Sequence, residues 1–561
     1  MTIDSRNVWK VALLLVLVLI AVGVPRILSL DHFATPDEAA WVGRSASFYY
    51  SLVQRDFANT FQHSHPGVMV TWAGTIAYRM RYLPLAWEAD DWIHGNWKKV
   101  EPFLKSQGVS PLEILKTART FMVLGTMLAI GLAFVAAVRL VGLWAAFIGF
   151  LLIAFDPFHT GMTRILHHDG LESSLMFLSF LSFLVFVYRG HWFIDLVISG
   201  LSAGFSWLTK SPAFFLIAFF SLIVLIEIIR GWLKKRSITA KKVWNLVWPL
   251  LIVVGIGVVV FIVFWPAMWV DPLGTLDKVF RQALLYSSEG HVSEIFFNGR
   301  IIRGDPGWNF YPVTFLWRTT PIVIVGLIFT IVGVFWRKKP FDEPIVRRVT
   351  VLLALYAVLF MIAMSLGAKK FDRYIIPIYL PIDLLAGMGW YAVARWIWDR
   401  TRLKRVGWIS VGLLVFGVAL QAFLMLRTYP YYLSYYNPLM GGSAKAPDVM
   451  MIGWGEGLDQ AARYLNTKSD AEQMRVMSHY SDGSFSYFFQ GETVDLVDNW
   501  EGINAEGYDE VDYVVLYYHQ WQRQLPDPTM LAFFAAQTPE YVVNIDGLDY
   551  ALIYDIQKLR K

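Results

Sequence analysis

Asp37 and Glu38 stand side by side in "DHFATPDEAAWVG", a few residues beyond the uninterrupted apolar run "VALLLVLVLIAVGV". A carboxylate at the edge of an apolar segment can act as the general base for an acceptor at a membrane surface. The same residues also suit a helix start, since Pro36 and early acids favour a first turn. Basic residues recur at the ends of other apolar runs: Arg119 in "KTARTFMV", Arg164 in "TRILHHDG", Lys210 in "WLTKSPAF", and Lys369, Lys370 and Arg373 in "GAKKFDRYIIP". Singly, each can snorkel to lipid headgroups. Together they suit a shared anionic ligand, and a phosphate is the natural one. Base plus cations describes group transfer from a lipid phosphate. Asp169 and Glu172 have capping-box spacing, so Asp169 reads equally as a cap or as a ligand contact. His63, His65, His167 and His168 could, with Asp169, hold a metal, although no H-x-x-x-H spacing supports it.

These residues must be positioned by a membrane protein. Across 561 residues the chain is 56% hydrophobic and only 17% charged, with a mean hydropathy of +0.46, which excludes one water-soluble globule. Cysteine is absent, so disulfides and Cys metal sites are excluded. The first apolar run is long enough to span, lacks a small-x-small cleavage site and reads as a retained helix. Apolar windows recur near residues 9–30, 117–139, 141–158, 170–188, 192–209, 212–229, 244–267, 317–336, 347–367, 373–394 and 406–427. They predict about eleven transmembrane helices.

Numbering the loops alternately puts "RGWLKKRSITAKK", "WRKKPFDEPIVRR" and "RWIWDRTRLKR" on the side of the amino terminus, which the positive-inside bias makes cytoplasmic. Loops 31–116 and 268–316 and the tail then face outward, as do all the site candidates above. The first loop mixes aromatics and polar residues at helical spacing in "DEAAWVGRSASFYYSLV" and "GVMVTWAGTIAYRMRYL", as interfacial helices do. The expected organisation is a membrane part, 1–430, and a soluble extracytoplasmic α/β domain, 431–561. The domain's strands are expected at "DVMMIGW", "MRVMSHY", "VDYVVLYY", "EYVVNI" and "YALIYDI", with helices at "GLDQAARYLN" and "TMLAFFAAQ". "IGWGEGLDQAA" misses the G-x-G-x-x-G spacing and reads as a tight turn opening a helix. The fold class is mainly α and polytopic, and the chain is expected in a plasma or inner membrane with no nucleic-acid partner.

With acids and cations in this order, the chain resembles the polyprenyl-phosphate-sugar-dependent glycosyltransferases of the GT-C fold, the group with protein O-mannosyltransferases and lipid A aminoarabinose transferases. Asp37-Glu38 is similar to that family's acidic pair, "HSHPGVM" to its His-Pro-Pro motif with Gly67 in place of the second proline, and Arg119 to the arginine opening its second helix. "TRILHHDGLESSL" resembles the segment whose aspartate is here Asp169; Lys210 in "GFSWLTKSP" and "KKFDRYIIPIYLPIDLLAG" resemble its basic residues near the donor phosphate.

The resemblance implies a GT-C catalytic domain in which Asp37 and Glu38 are catalytic and His65, Arg119, Asp169, Lys210, Lys370 and Arg373 bind the donor. It implies transfer of a hexosyl (mannosyl) or pentosyl group, with inversion, from a polyprenyl-phosphate-linked donor to a hydroxyl of a protein, lipid or glycan. Loop 268–316 would cover the cavity. No cofactor is required by this reading. The alternatives are a metal-dependent oligosaccharyl transferase of the same fold, whose divalent metal would be held by acids in the first two outer loops, and a membrane transporter, whose ionisable residues would lie at mid-membrane in repeated halves.

Overall fold

The computed structural model describes residues 8–190, 192–235, 239–400, 404–498, 500–505 and 507–560. The amino-terminal residues 1–7 and parts of two of the basic loops, 236–238 and 401–403, lie outside them.

Every apolar window falls on a helix, and the chain is a multi-pass membrane protein. Eight of the described helices are long and apolar enough to cross a membrane: Val8–Ile27, Pro111–Val141, His168–Gly190, Ser211–Lys234, Ala240–Val263, Pro344–Leu366, Asp372–Arg400 and Gly407–Leu426. Two further windows are broken, Leu143–Ala154 with Pro157–Thr163 bent by 67° and Phe310–Arg318 with Pro321–Phe335 bent by 108°, while Phe193–Thr209 is shorter. Length and composition thus give eight to ten spans where about eleven were expected. A hydropathy window measures apolar length and is blind to a change of axis at a proline.

The first break shows how such a bend is tolerated within an apolar layer. Asp156 accepts from the His159 N–H at 2.6 Å and Pro157 opens the new helix. Arg26, fully buried, donates to the carbonyls of Val22 at 2.9 Å and Ala154 at 3.1 Å and to the Thr163 hydroxyl at 2.7 Å. Backbone groups released by the bend therefore keep partners.

Two spans are largely enclosed by their neighbours, His168–Gly190 and Asp372–Arg400, each 89% buried against 28% for Ala240–Val263. Their first turns carry Asp169 and Arg373. The loop 31–116 holds the helices Pro36–Val53 and Val68–Arg81, which pack on each other and on Pro111–Val141. Gly74 allows the approach of the two loop helices, since a Cβ there would meet Ser45 at 2.1 Å; one at Gly43 would meet Trp97 of the same loop at 2.5 Å. Loop 268–316 is more structured than its sequence suggested. It forms the helix Pro272–Glu289 and a hairpin of β1 (His291–Phe297) antiparallel to β2 (Arg300–Gly304).

The tail folds as an α/β unit around a five-stranded mixed sheet of β3 (Arg475–Ser478), β4 (Glu492–Val494), β5 (Tyr513–Tyr517), β6 (Tyr541–Ile545) and β7 (Leu548–Asp555), in the order β4-β3-β5-β7-β6. β3 runs parallel to β4 and β5, and β7 antiparallel to β5 and β6. Four of the five expected strands are present. The fifth, "DVMMIGW", is not a strand: Ile452 N–H is taken by the Gln522 side chain at 2.8 Å, and the Val449 carbonyl accepts from Asn298 of the hairpin at 2.8 Å. β4, in "GETVDLV", takes its place at the sheet edge and was missed because the run is short and acid-flanked.

Candidate active site

Asp37 is positioned by its neighbour. In the helix Pro36–Val53, Thr35 is the extended N-cap and Glu38 reaches back to the Thr35 N–H at 2.9 Å and its hydroxyl at 3.2 Å, closing a capping box. The Glu38 carboxylate also accepts from Arg119 Nε at 2.7 Å and Nη2 at 2.5 Å and from the Leu166 N–H at 2.6 Å. Arg119 spends its other donors on the carbonyls of Leu30, His32 and Phe33 at 2.7 to 3.2 Å. Glu38 and Arg119 are both buried. The structure therefore places Glu38 and Arg119 behind the site, where they fix the turn before Asp37, and Asp37 faces the open side with 41% of its side chain accessible.

Around Asp37 lie the groups that the sequence scattered over the chain. Its Oδ2 is 3.3 Å from His167 Nε2 and 3.4 Å from Arg373 Nη2. The other face of His167 places Nδ1 3.3 Å from Asp169 Oδ2, and Arg373 Nε is 3.5 Å from the same oxygen. Lys210 donates to Asp169 Oδ1 and lies 3.9 Å over the Tyr374 ring. Arg373 is sandwiched by Phe371 at 4.2 Å and Trp454 at 4.4 Å. Lys369 lies 3.9 Å over Tyr286 and makes no ion pair with a described carboxylate. Lys370 is turned differently: its buried ammonium is paired with Asp305, while His291 bridges its backbone. Arg373, Arg44 and Lys369 are thus the cations near Asp37, with Lys210 beside them on Asp169, and Lys369 is unpaired where Lys370 was expected.

The electrostatics follow from that crowding. Burial alone would raise the Asp37 carboxyl, but the His167 hydrogen bond and the charges of Arg373 and Arg44 outweigh it and hold it at about 2. The Lys369 ammonium is pushed down by burial and then by the nearby Arg373. Burial, with Arg44 nearby, lowers His63 to about 4, and His65 falls well below its ordinary value by burial and the Lys210 charge. His65 leans on Tyr286 at 4.9 Å and on His168 at 5.9 Å, so it lines this group as a neutral ring. His65 Nε2 and His168 Nδ1 are buried without a hydrogen-bond partner among the described residues, beside the Asp169 carboxylate that His167, Lys210 and Arg373 contact.

His167, His168 and Asp169 offer ligand atoms within 4.8 Å of one another and could hold a metal; His63 does not join them among the described residues. Lys210 and Arg373 already contact the Asp169 carboxylate, so a dication there would meet two positive charges.

The site opens into a cavity of 380 Å³ between the ends of the spans and the tail domain. Asp37, Lys369 and Arg373 line it together with Trp454, Tyr480 and Arg523 of the tail domain, with Phe158, Phe310 and Leu433 as apolar lining. Trp454 reaches Arg373 and stands edge-on to His167 at 5.2 Å because it is carried on a turn whose Gly453, Gly455 and Gly457 all have positive φ. A Cβ at Gly455 would lie 2.3 Å from the Ala34 carbonyl. Sequence reasoning missed Trp454, although a tryptophan set among glycines in "GWGEG" was the visible signal.

No protein-family model and no curated protein sequence matches the chain. Among solved structures it is similar over its length to the ArnT protein of Cupriavidus metallidurans in the apo state, at 16% identity, 98% of each chain and a TM-score of 0.47. It is also similar to the oligosaccharyltransferase AglB of Archaeoglobus fulgidus in complex with an inhibitory peptide and a dolichol-phosphate, at 12% identity, 98% of this chain and 74% of that one, with a TM-score of 0.46. The Pmt1-Pmt2 protein O-mannosyltransferase complex of S. cerevisiae, bound to its sugar donor, is similar over 53% of this chain and 42% of that one, at 13% identity and a TM-score of 0.35. At these identities the likeness assigns no side chain a role.

Proposed function

We propose that the chain is a membrane glycosyltransferase that moves a hexosyl (mannosyl) or pentosyl group, with inversion, from a polyprenyl-phosphate-linked donor to an acceptor hydroxyl on the extracytoplasmic side. The observation that supports it is an accessible carboxylate, Asp37, paired with Arg373 beside Lys369 at the mouth of a cavity where membrane spans end, with Lys210 held next to them on Asp169. The donor's phosphate takes these cations, and the sugar lies in the cavity with its anomeric carbon toward Asp37. The acceptor oxygen attacks that carbon opposite the phosphate, Asp37 takes the hydroxyl proton, and the bond to the phosphate breaks, leaving its charge to the cations. A phosphate leaving group ionises readily, so no general acid is required.

A carboxylate held at about 2 is ionised but a weak base. Arg373 is shared between Asp37 and Asp169, and a phosphate that draws it away raises the basicity of Asp37. The enzyme would thus gain its base when the donor is bound. Purified protein in nanodiscs, given radiolabelled polyprenyl-phosphate sugars, tests this: transfer that depends on Asp37 supports it, and donor binding indifferent to Lys210, Lys369 and Arg373 overturns it. A second reading rests on the His167, His168 and Asp169 group: a divalent metal there would make transfer fall on adding chelator and recover with metal.

A further inference from the structure

Most cations that line the cavity have acid partners: Lys370 with Asp305, Arg318 with Asp372, Arg373 with Asp37 and Asp169. Lys369 and Arg523 pair with no described carboxylate. Lys369 belongs to the donor side. Arg523 comes from the tail domain, where its Nε donates to the Glu294 carbonyl and its Nη1 lies 3.2 Å from His519 Nε2. The Glu294 carboxylate is itself taken by Arg303. Arg523 Nη2 has no partner among the described residues.

The surroundings hold this guanidinium in place. His519 is buried, and its Nδ1–H faces the Gly453 carbonyl at 3.4 Å, which leaves Nε2 as acceptor. Arg523 Nη1 at 3.2 Å, His479 Nε2 at 2.9 Å and the Tyr480 hydroxyl at 3.2 Å all approach that nitrogen, whose single lone pair serves one donor at a time. Tyr480 is in the left-handed region at φ 53°, where a bulky residue is strained, and it stands within reach of the charges of Asp37, Arg373 and Arg523 alike. A half-buried arginine without an acid partner, set by a histidine and a backbone carbonyl beside a strained tyrosine, can receive an oxyanion, and it lines the same cavity as Asp37.

We propose that Arg523 selects an acceptor that carries an oxyanion, a carboxylate or a phosphate, close to the hydroxyl that receives the sugar. This rests on the glycosyl-transfer reading above and adds the acceptor's class. Arg523 anchors the oxyanion, Tyr480 fills the space between, and the hydroxyl is left at Asp37.

The test is a binding measurement on the full chain in nanodiscs with three matched probes below their micellar concentrations: octyl glucoside, octyl glucuronide and octyl glucoside 6-phosphate. A C55 polyprenyl phosphate is the donor-side control. At least one anionic probe is expected to bind about tenfold tighter than the neutral one, and which one does so tells carboxylate from phosphate. Arg523→Ala should remove that preference and leave polyprenyl phosphate binding unchanged. Should loss of the Glu294 and His519 contacts unfold Arg523→Ala, Arg523→Gln carries the comparison, and the wild-type preference stands without either. Equal binding of all three probes, a preference that survives both variants, or weakened polyprenyl phosphate binding in them overturns the proposal. A wild type that ignores polyprenyl phosphate yet keeps the anionic preference counts against the donor reading alone.

Discussion

At the scale of single residues, adjacent acids have opposite environments. Glu38 is closed in by Thr35, Arg119 and the Leu166 N–H, whereas Asp37 meets the cavity. Arg119→Ala should therefore act on stability: breaking a buried ion pair costs about 3–5 kcal/mol, to be read as a lower Tm, and Asp37→Asn should lose less at neutral pH, with the gap to wild type closing as pH falls toward 2. Lys369→Ala should raise the Kd for polyprenyl phosphate about tenfold or more, as expected for a lost charge-assisted contact, with the fold intact. The depressed Asp37 carboxyl sets a sign for acid. Its folded value of about 2 lies below its ordinary 3.8, so its contribution to stability is present above about pH 4 and is lost as pH falls toward 2. Acid melts of wild type should show a loss in that window which Asp37→Asn lacks. The sequence displayed Asp37, Asp169, Lys210 and Arg373 as candidates because acids and cations at the ends of apolar runs need partners. It could not tell Lys369 from its neighbour, since which of two adjacent lysines faces inward depends on Asp305 and Tyr286, both distant in the chain.

At the scale of elements, the apolar windows fall on helices among the described residues, because length and hydropathy are local properties. The bends at Pro157 and Pro321, the hairpin at His291–Gly304 and the edge strand β4 depend on what packs against them and were not legible. The same holds for the turn Gly453–Gly457, read correctly as a turn but not as the carrier of Trp454. Gly455→Ala combines a positive φ of 106° with a clash against Ala34, so it should shift Trp454 away from Arg373. Its expected effect is weaker donor binding and slower transfer, greater than in Gly502→Ala, where φ is also positive and a Cβ meets nothing within 4 Å. Equal loss in both variants would reduce the turn to a stability element.

At the scale of the molecule, the spans, the loop 31–116, the hairpin and the tail domain all contribute to one cavity, so its cations and Asp37 must share one side of the membrane. The basic loop "WRKKPFDEPIVRR" argues that this side is outward. Reporter fusions after residues 342 and 470 should give opposite signals, the latter extracytoplasmic, and matching signals would remove the orientation. The central claim, that Asp37 is the base of a transfer from a lipid phosphate, is tested most directly by single-turnover transfer in Asp37→Asn with donor binding measured on the same sample. The expected result is near-normal binding of the donor with transfer slowed by roughly 10²–10⁴-fold. Transfer at close to the wild-type rate, with the donor bound, would contradict it and leave Asp37 as no more than the start of a helix.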